Sequence, residues 1–144
     1  MDIWAIVQRL FNIKSLDYRL LGRWLGHMPK GKFVHQKIVD APPIPYELAL
    51  GWIAHYTIGI GIAFLLVALF GKDWLNEPDL LAALIIGIST VVLPYFVMQP
   101  AFGFGIAGCG LPDPALVRAK SMFTHIVFGI GLYLTAEIIQ LIVN

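Results

Sequence analysis

Charge is scarce in this chain. Only 13% of its 144 residues are Asp, Glu, Lys or Arg, against roughly 25% in an ordinary soluble domain. Cysteine is scarcer still: Cys109, set between Gly108 and Gly110, is the single one. That excludes an internal disulfide framework, and no activating partner accompanies the thiol. No basic segment follows Met1, so no secretory signal is read at the start. The absence of C-x-x-C-H excludes covalently attached haem. No G-x-S-x-G, Walker A or H-E-x-x-H pattern occurs, which removes the serine-hydrolase elbow, the P-loop and the zinc-protease helix.

What is present is apolar, with 58% hydrophobic residues and a mean hydropathy of +0.78. Leu48 to Phe70 is 23 residues without a formal charge, and about 20 apolar residues in a helix cross a bilayer core. Leu80 to Leu111 is a longer uncharged run, with Pro94 and Pro100 placed to kink or end its helix. Ser121 to Val143 is interrupted only by Glu137. Asp2 to Phe11 reaches only about 15 Å as a helix, half a membrane. These runs predict an all-α membrane protein forming one domain, a bundle of three full spans (48–70, 80–101 and 120–143) and a partial first helix over 1–12.

The segment Arg9 to Lys37 holds seven of the ten Lys and Arg residues. The positive-inside rule makes this loop and the one carrying Arg118 and Lys120 cytoplasmic, with the C-terminus outside. Within the first loop, Leu16, Leu20, Leu21, Trp24, Leu25 and Met28 follow helical spacing, while Ser15, Arg19, Arg23 and His27 step along another face. The pattern predicts an amphipathic interfacial helix over 15–28, capped by Ser15 and ended by Pro29 and Gly31. Arg19, Arg23, Lys30 and Lys32 are expected near anionic lipid headgroups. A helix packed over the mouth of the bundle, with a solvated basic face, is the second reading, and the two are compatible. Ala41-Pro42-Pro43-Ile44-Pro45 is a stiff connector into Tyr46 and Glu47.

One signature occurs twice, seventy residues apart: His55-x3-Gly59-Ile60-Gly61 and His125-x3-Gly129-Ile130-Gly131. Met1-Asp2 precedes the first copy and Met98-Gln99 the second. The match predicts a two-plus-two internal repeat with halves of like orientation. Asp2, His55, Gln99 and His125 are then expected to converge in a polar centre in the cytoplasmic half, with Tyr46 and Glu47 at its mouth, because ionisable groups inside membranes face protein or water. Gly59, Gly61, Gly129 and Gly131 are expected to pack helices closely.

Several readings of that centre stay open. It is structural, as in an accessory subunit; or it binds or conducts a small solute or protons; or His55 and His125 hold non-covalent haem, or Zn or Cu with Asp2. No resident cofactor is expected. Partners are expected to be the bilayer, its anionic lipids at the basic loop, and a second copy or another membrane protein. The hydrophobic setting of the basic loop argues against nucleic acid.

The strings Leu16-Asp17-Tyr18, Gly22-Arg23-Trp24-Leu25-Gly26-His27 and Ala49-Leu50-Gly51-Trp52-Ile53-Ala54-His55-Tyr56 resemble a bacterial inner-membrane family. Met98-Gln99-Pro100 and His125-x2-Phe128-Gly129-x-Gly131-Leu132-Tyr133 extend the likeness over nearly the whole chain. The family is the domain-of-unknown-function family 2938 (DUF2938). The resemblance implies a four-helix protein of the bacterial inner membrane with no established activity, and so no functional residues to carry over. It also implies a further apolar stretch before the Met-Asp pair, so that the first span is expected to be cut short here.

Overall fold

The computed structural model describes residues 17–143. The partial first helix expected over 1–12, Asp2 within it and the expected cap Ser15 lie outside the described residues. Within them the chain is all-helical. Helix α1 is Tyr18–His27, α2 Glu47–Phe70, α3 Asp73–Asn76, α4 Leu80–Ser89, α5 Gln99–Ala101 and α6 Pro114–Val143. Three helical stretches are long and apolar enough to cross a membrane: α2, Leu80–Ala101, and α6. Their outward faces confirm the class. Phe64 is 72% and Leu141 82% exposed, a display of apolar side chains that suits lipid.

The second span runs through both prolines. Pro94 lacks an N–H, and the five residues Pro94–Met98 form a π turn in which the Gln99 amide bonds back to the Pro94 carbonyl, a local widening that keeps a proline-bearing helix continuous. The span then stops at a Schellman turn. Gly103 has φ +81°, Phe104 N bonds Gln99 O at 2.9 Å and Gly103 N bonds Pro100 O at 3.0 Å, which satisfies the last carbonyls. Helix α6 begins at Pro114, six residues ahead of its predicted start at 120. Asp113 caps it, accepting from Leu116 N at 3.0 Å, and proline is pre-organised for a first helical position. Hydropathy misses these turns because Arg118 and Lys120 interrupt the apolar run.

Helix α1 starts at Tyr18, and Asp17 rather than Ser15 caps it, accepting from Arg19 N at 3.0 Å. Tyr18 meets Gly51, Gly22 meets Glu47 and Gly51, and Gly26 meets Ile44. A forward step of four on α1 is thus a backward step on the following chain, so α1 runs antiparallel to the first turns of α2. Helix α1 is therefore packed on α2. A β-carbon on Gly22 would overlap the Glu47 carbonyl, and one on Gly51 the Tyr18 carbonyl. Here the missing side chains are what allow contact.

Two buried clusters hold the molecule. At the α3 end, Leu66, Trp74, Ala82, Ala83, Ile86 and Ala136 join α2, α4 and α6. At the other end Leu21, Ile38, Ala41, Ala101 and Phe102 join α1, the loop 31–41 and the turn after α5. That loop is strapped down by backbone bonds, His35 N to Ala101 O at 2.8 Å and Ile38 N to Phe102 O at 2.9 Å, and by Trp24 Nε1 donating to Phe33 O at 2.7 Å.

Candidate functional site

Of the expected centre Asp2 lies outside the described residues, and His55, Gln99 and His125 each have their own neighbours. His125 packs against α4: its Nδ1 lies 2.8 Å from Thr90 Oγ1. The Thr90 hydroxyl is itself committed, donating to Gly87 O at 2.6 Å. One hydroxyl proton cannot serve both, so His125 carries its proton on Nδ1 and donates it to Thr90, which leaves Nε2 with the lone pair. Gln99 is nine residues beyond Thr90 along the same span, about 13 Å at helical rise. Its side chain is buried at the end of that span, where Oε1 forms no hydrogen bond and would stand 3.4 Å from a β-carbon at Gly108. The apolar runs place Gln99 near the end of its span and the histidines about 10 Å inside theirs, and His125, beside Thr90, indeed lies more than two helical turns from Gln99 along the span.

His55 stands elsewhere, among aromatic rings. Its Nε2 is 3.5 Å from the Tyr18 hydroxyl, and its ring centroid lies 4.7 Å from Tyr18, 5.8 Å from Trp52 and 5.4 Å from Tyr56. Tyr18 comes from α1 and the others from α2, so the aromatic group pins the hairpin at its deep end. Such rings, apolar in body and polar at the edge, suit a membrane interface.

Thr90→Val is the clean test of the His125 pair, since it keeps shape and deletes the hydroxyl. We expect a loss of about 1 kcal/mol, the scale of a side-chain bond within membrane protein interiors, read from unfolding in detergent. Nitrogen NMR of His125 should report the Nδ1–H tautomer in the parent chain. An Nε2–H tautomer there would refute the assignment.

The glycines divide. A β-carbon at Gly87 would stand 2.7 Å from the Gly129 Cα and 2.7 Å from the His125 carbonyl, and one at Gly129 would stand 2.8 Å from the Ala83 carbonyl. Gly129 therefore makes a helix crossing. At Gly59, Gly61 and Gly131 an added β-carbon meets no described atom within 4 Å. Close packing in the first copy of the motif falls instead on Gly51, four residues before His55, because the neighbour there is the antiparallel α1. Gly59 and Gly131 face a groove.

That groove, about 390 Å³, runs between α2 and α6. Gly59, Ala63, Gly131 and Leu132 make its apolar walls, and His55, Tyr56 and Thr135 supply its polar groups. Thr135 is turned to its own helix, donating to Gly131 O at 2.7 Å. At the other end, Gln140 Nε2 donates to Leu75 O at 3.1 Å, tying α6 to α3.

The expected mouth is closed by an ion pair. Arg23 Nε and Nη2 reach the Glu47 carboxylate at 2.9 and 3.0 Å, and Nη1 donates to the carbonyls of Ile38, Val39 and Ala41 at 3.3, 3.3 and 3.1 Å. The Glu47 hydrogen bonds hold the Arg23 pKa above its ordinary value. Arg23 is thus turned inward, its planar fork taken up by a carboxylate and three carbonyls. Tyr46, at φ +60°, is 86% exposed. Arg19, Lys30 and Lys32 remain exposed on the surface.

Sequence reasoning missed Thr90, whose only signal is its spacing of three from Gly87. His27 and His35, eight residues apart in the basic loop, carry in the sequence only a weak signal for a surface metal site. Both are buried, with His27 Nδ1 at 2.8 Å from His35 Nε2. The His35 pKa is pushed below its ordinary value, first by burial, then by Lys32 and His27, while the Ala101 carbonyl opposes the shift. The signal was available in Met28-Pro29-Lys30-Gly31, a tight reversal that returns the chain over α1. Among the described residues no three of His, Cys, Asp and Glu gather as a metal-ligand set.

Three apolar helices joined by short caps, with polar side chains held inside, define a multi-pass α-helical membrane protein. The chain belongs to the family described as "Protein of unknown function (DUF2938)", which matches residues 1–139. Comparison with curated proteins and with solved structures gave no match.

Proposed function

We propose that the chain binds a small amphiphilic solute in the groove between α2 and α6, as a non-enzymatic protein of a bacterial inner membrane with its basic loop cytoplasmic. The observation that carries this reading is the groove itself. Its volume of about 390 Å³ lies within the range of small-molecule sites, which are mostly apolar with a few placed polar groups. His55 and Tyr56 would take the hydrogen-bonding head, and the Gly59 and Gly131 walls the apolar body. The missing β-carbons keep the groove open, which gives the His-x3-Gly repeat a use beyond packing. Binding is favoured over proton conduction because the described partners of His125, the Thr90 hydroxyl and the Gly87 backbone, are neutral groups.

Trp74 also lines the groove, so its fluorescence offers a readout. In protein reconstituted into lipid, a brominated medium-chain alcohol should quench a saturable component of the emission, and Gly59→Leu should remove that component while leaving the fold intact. Quenching that stays linear with alcohol in the parent chain, as for simple partitioning into lipid, would end the proposal.

A further inference from the structure

We propose that the loop 31–41 forms a pocket for a phosphate ester, the headgroup of an anionic lipid. This goes beyond the groove reading and is independent of it. The pocket, about 560 Å³, is walled by Lys32, His35, Gln36, Lys37 and Asp40 among others. Its walls are held in place, since the loop is strapped to the end of the second span by His35 N to Ala101 O and Ile38 N to Phe102 O. A phosphate is recognised by ammonium groups and amide donors converging on one concavity. Lys32 and Lys37 supply the charge, and neither is in an ion pair among the described residues. Gln36 adds an amide.

The carboxylate in the wall narrows the ligand further. Asp40 is the carboxylate in the wall and would repel a bare anion. A headgroup whose phosphate meets the lysines while a hydroxyl donates to Asp40 satisfies both, so a glycerol phosphate ester fits better than phosphate alone.

Placement selects the lipid source over a soluble one. The strap is bonded to Ala101, where the second span ends. Beside the lysines Phe33 is 57%, Val34 68% and Val39 52% exposed. Apolar side chains interleaved with lysines at the end of a span suit the boundary between headgroups and acyl chains.

The test uses the full chain in detergent with equal phosphatidylglycerol and phosphatidylcholine, and native mass spectrometry to count retained lipid. The parent should retain phosphatidylglycerol preferentially. The double variant Lys32→Gln/Lys37→Gln should retain at least fivefold less, and Lys30→Gln, outside the pocket wall, should match the parent. Both lysine sites are exposed, so an unchanged circular dichroism spectrum is expected. Equal retention by the double variant, or an equal loss in Lys30→Gln, would overturn the pocket. Displacement of the lipid by millimolar glycerol phosphate would overturn the lipid source and assign the pocket to a soluble ester. Failure of any of these leaves the fluorescence result for the groove standing.

Discussion

Gly22→Ala lowers stability by about 3 kcal/mol, the upper range for inserting a methyl into a closely packed contact, and shows it as an earlier unfolding midpoint in detergent. The added carbon would fall on the Glu47 carbonyl and 2.8 Å from the Gly51 amide nitrogen. All of these obstacles are backbone, so no rotamer change relieves the clash. The helices must separate, and separation draws Arg23 away from Glu47, which starts α2 at the same level. The comparison that sharpens the test is Gly59→Ala. There the new carbon meets no described atom within 4 Å, and alanine is favoured over glycine inside a helix by roughly 0.5–1 kcal/mol. The two substitutions are chemically identical and are expected to differ in sign. If Gly22→Ala unfolds with the parent, the close crossing of α1 and α2 is wrong.

Arg23→Met costs about 3 kcal/mol, at the low end for breaking a buried ion pair. The pair is nearly dry, with side-chain exposures of 13% and 12%, but it lies at the edge of the fold and not at its centre. Removing the guanidinium strands a carboxylate and leaves the carbonyls of Ile38, Val39 and Ala41 without their donor. Glu47→Gln is the milder change. It keeps an acceptor for Arg23 and leaves the three carbonyl bonds in place, so a loss of about 1–2 kcal/mol is expected for a weakened charge-assisted bond. The order of the two variants is therefore the prediction, and chemical or thermal unfolding measures it. An Arg23→Met variant as stable as Glu47→Gln would mean that the three carbonyl bonds contribute nothing, and that the connector 38–41 is held by Ile38 alone.

The comparison of the two histidine motifs shows where linear pattern misleads. Both copies read His-x3-Gly, and only the second uses that glycine to cross a helix. Gly129 faces Gly87 because α6 packs along α4. In the first copy the crossing moves to Gly51, since α1 packs against the first turns of α2. The same pattern on two helices met different neighbours, and neighbours decide which face of a helix is buried. Counting from the ends of the apolar runs already set Gln99 nearer the end of its span than the histidines; what the count could not supply was their neighbours, Thr90 for His125 and the aromatic rings for His55.

The sequence alone determined the class and the spans. Hydropathy is a sum over neighbours in the chain, and a helix that crosses lipid must satisfy its own backbone, so the evidence for each span is complete within it. The amphipathic period of α1 and the proline connector were legible for the same reason. Tertiary structure alone decided what the polar groups do. Arg23 meets Glu47 across 24 residues, His125 meets Thr90 across 35, and His27 meets His35 through a tight reversal. A hydrogen bond is set by distance and direction to a particular atom, and neither is encoded in a residue's own neighbourhood. The scarcity of charge marked the few polar residues as worth explaining; their partners became visible only when the chain was folded.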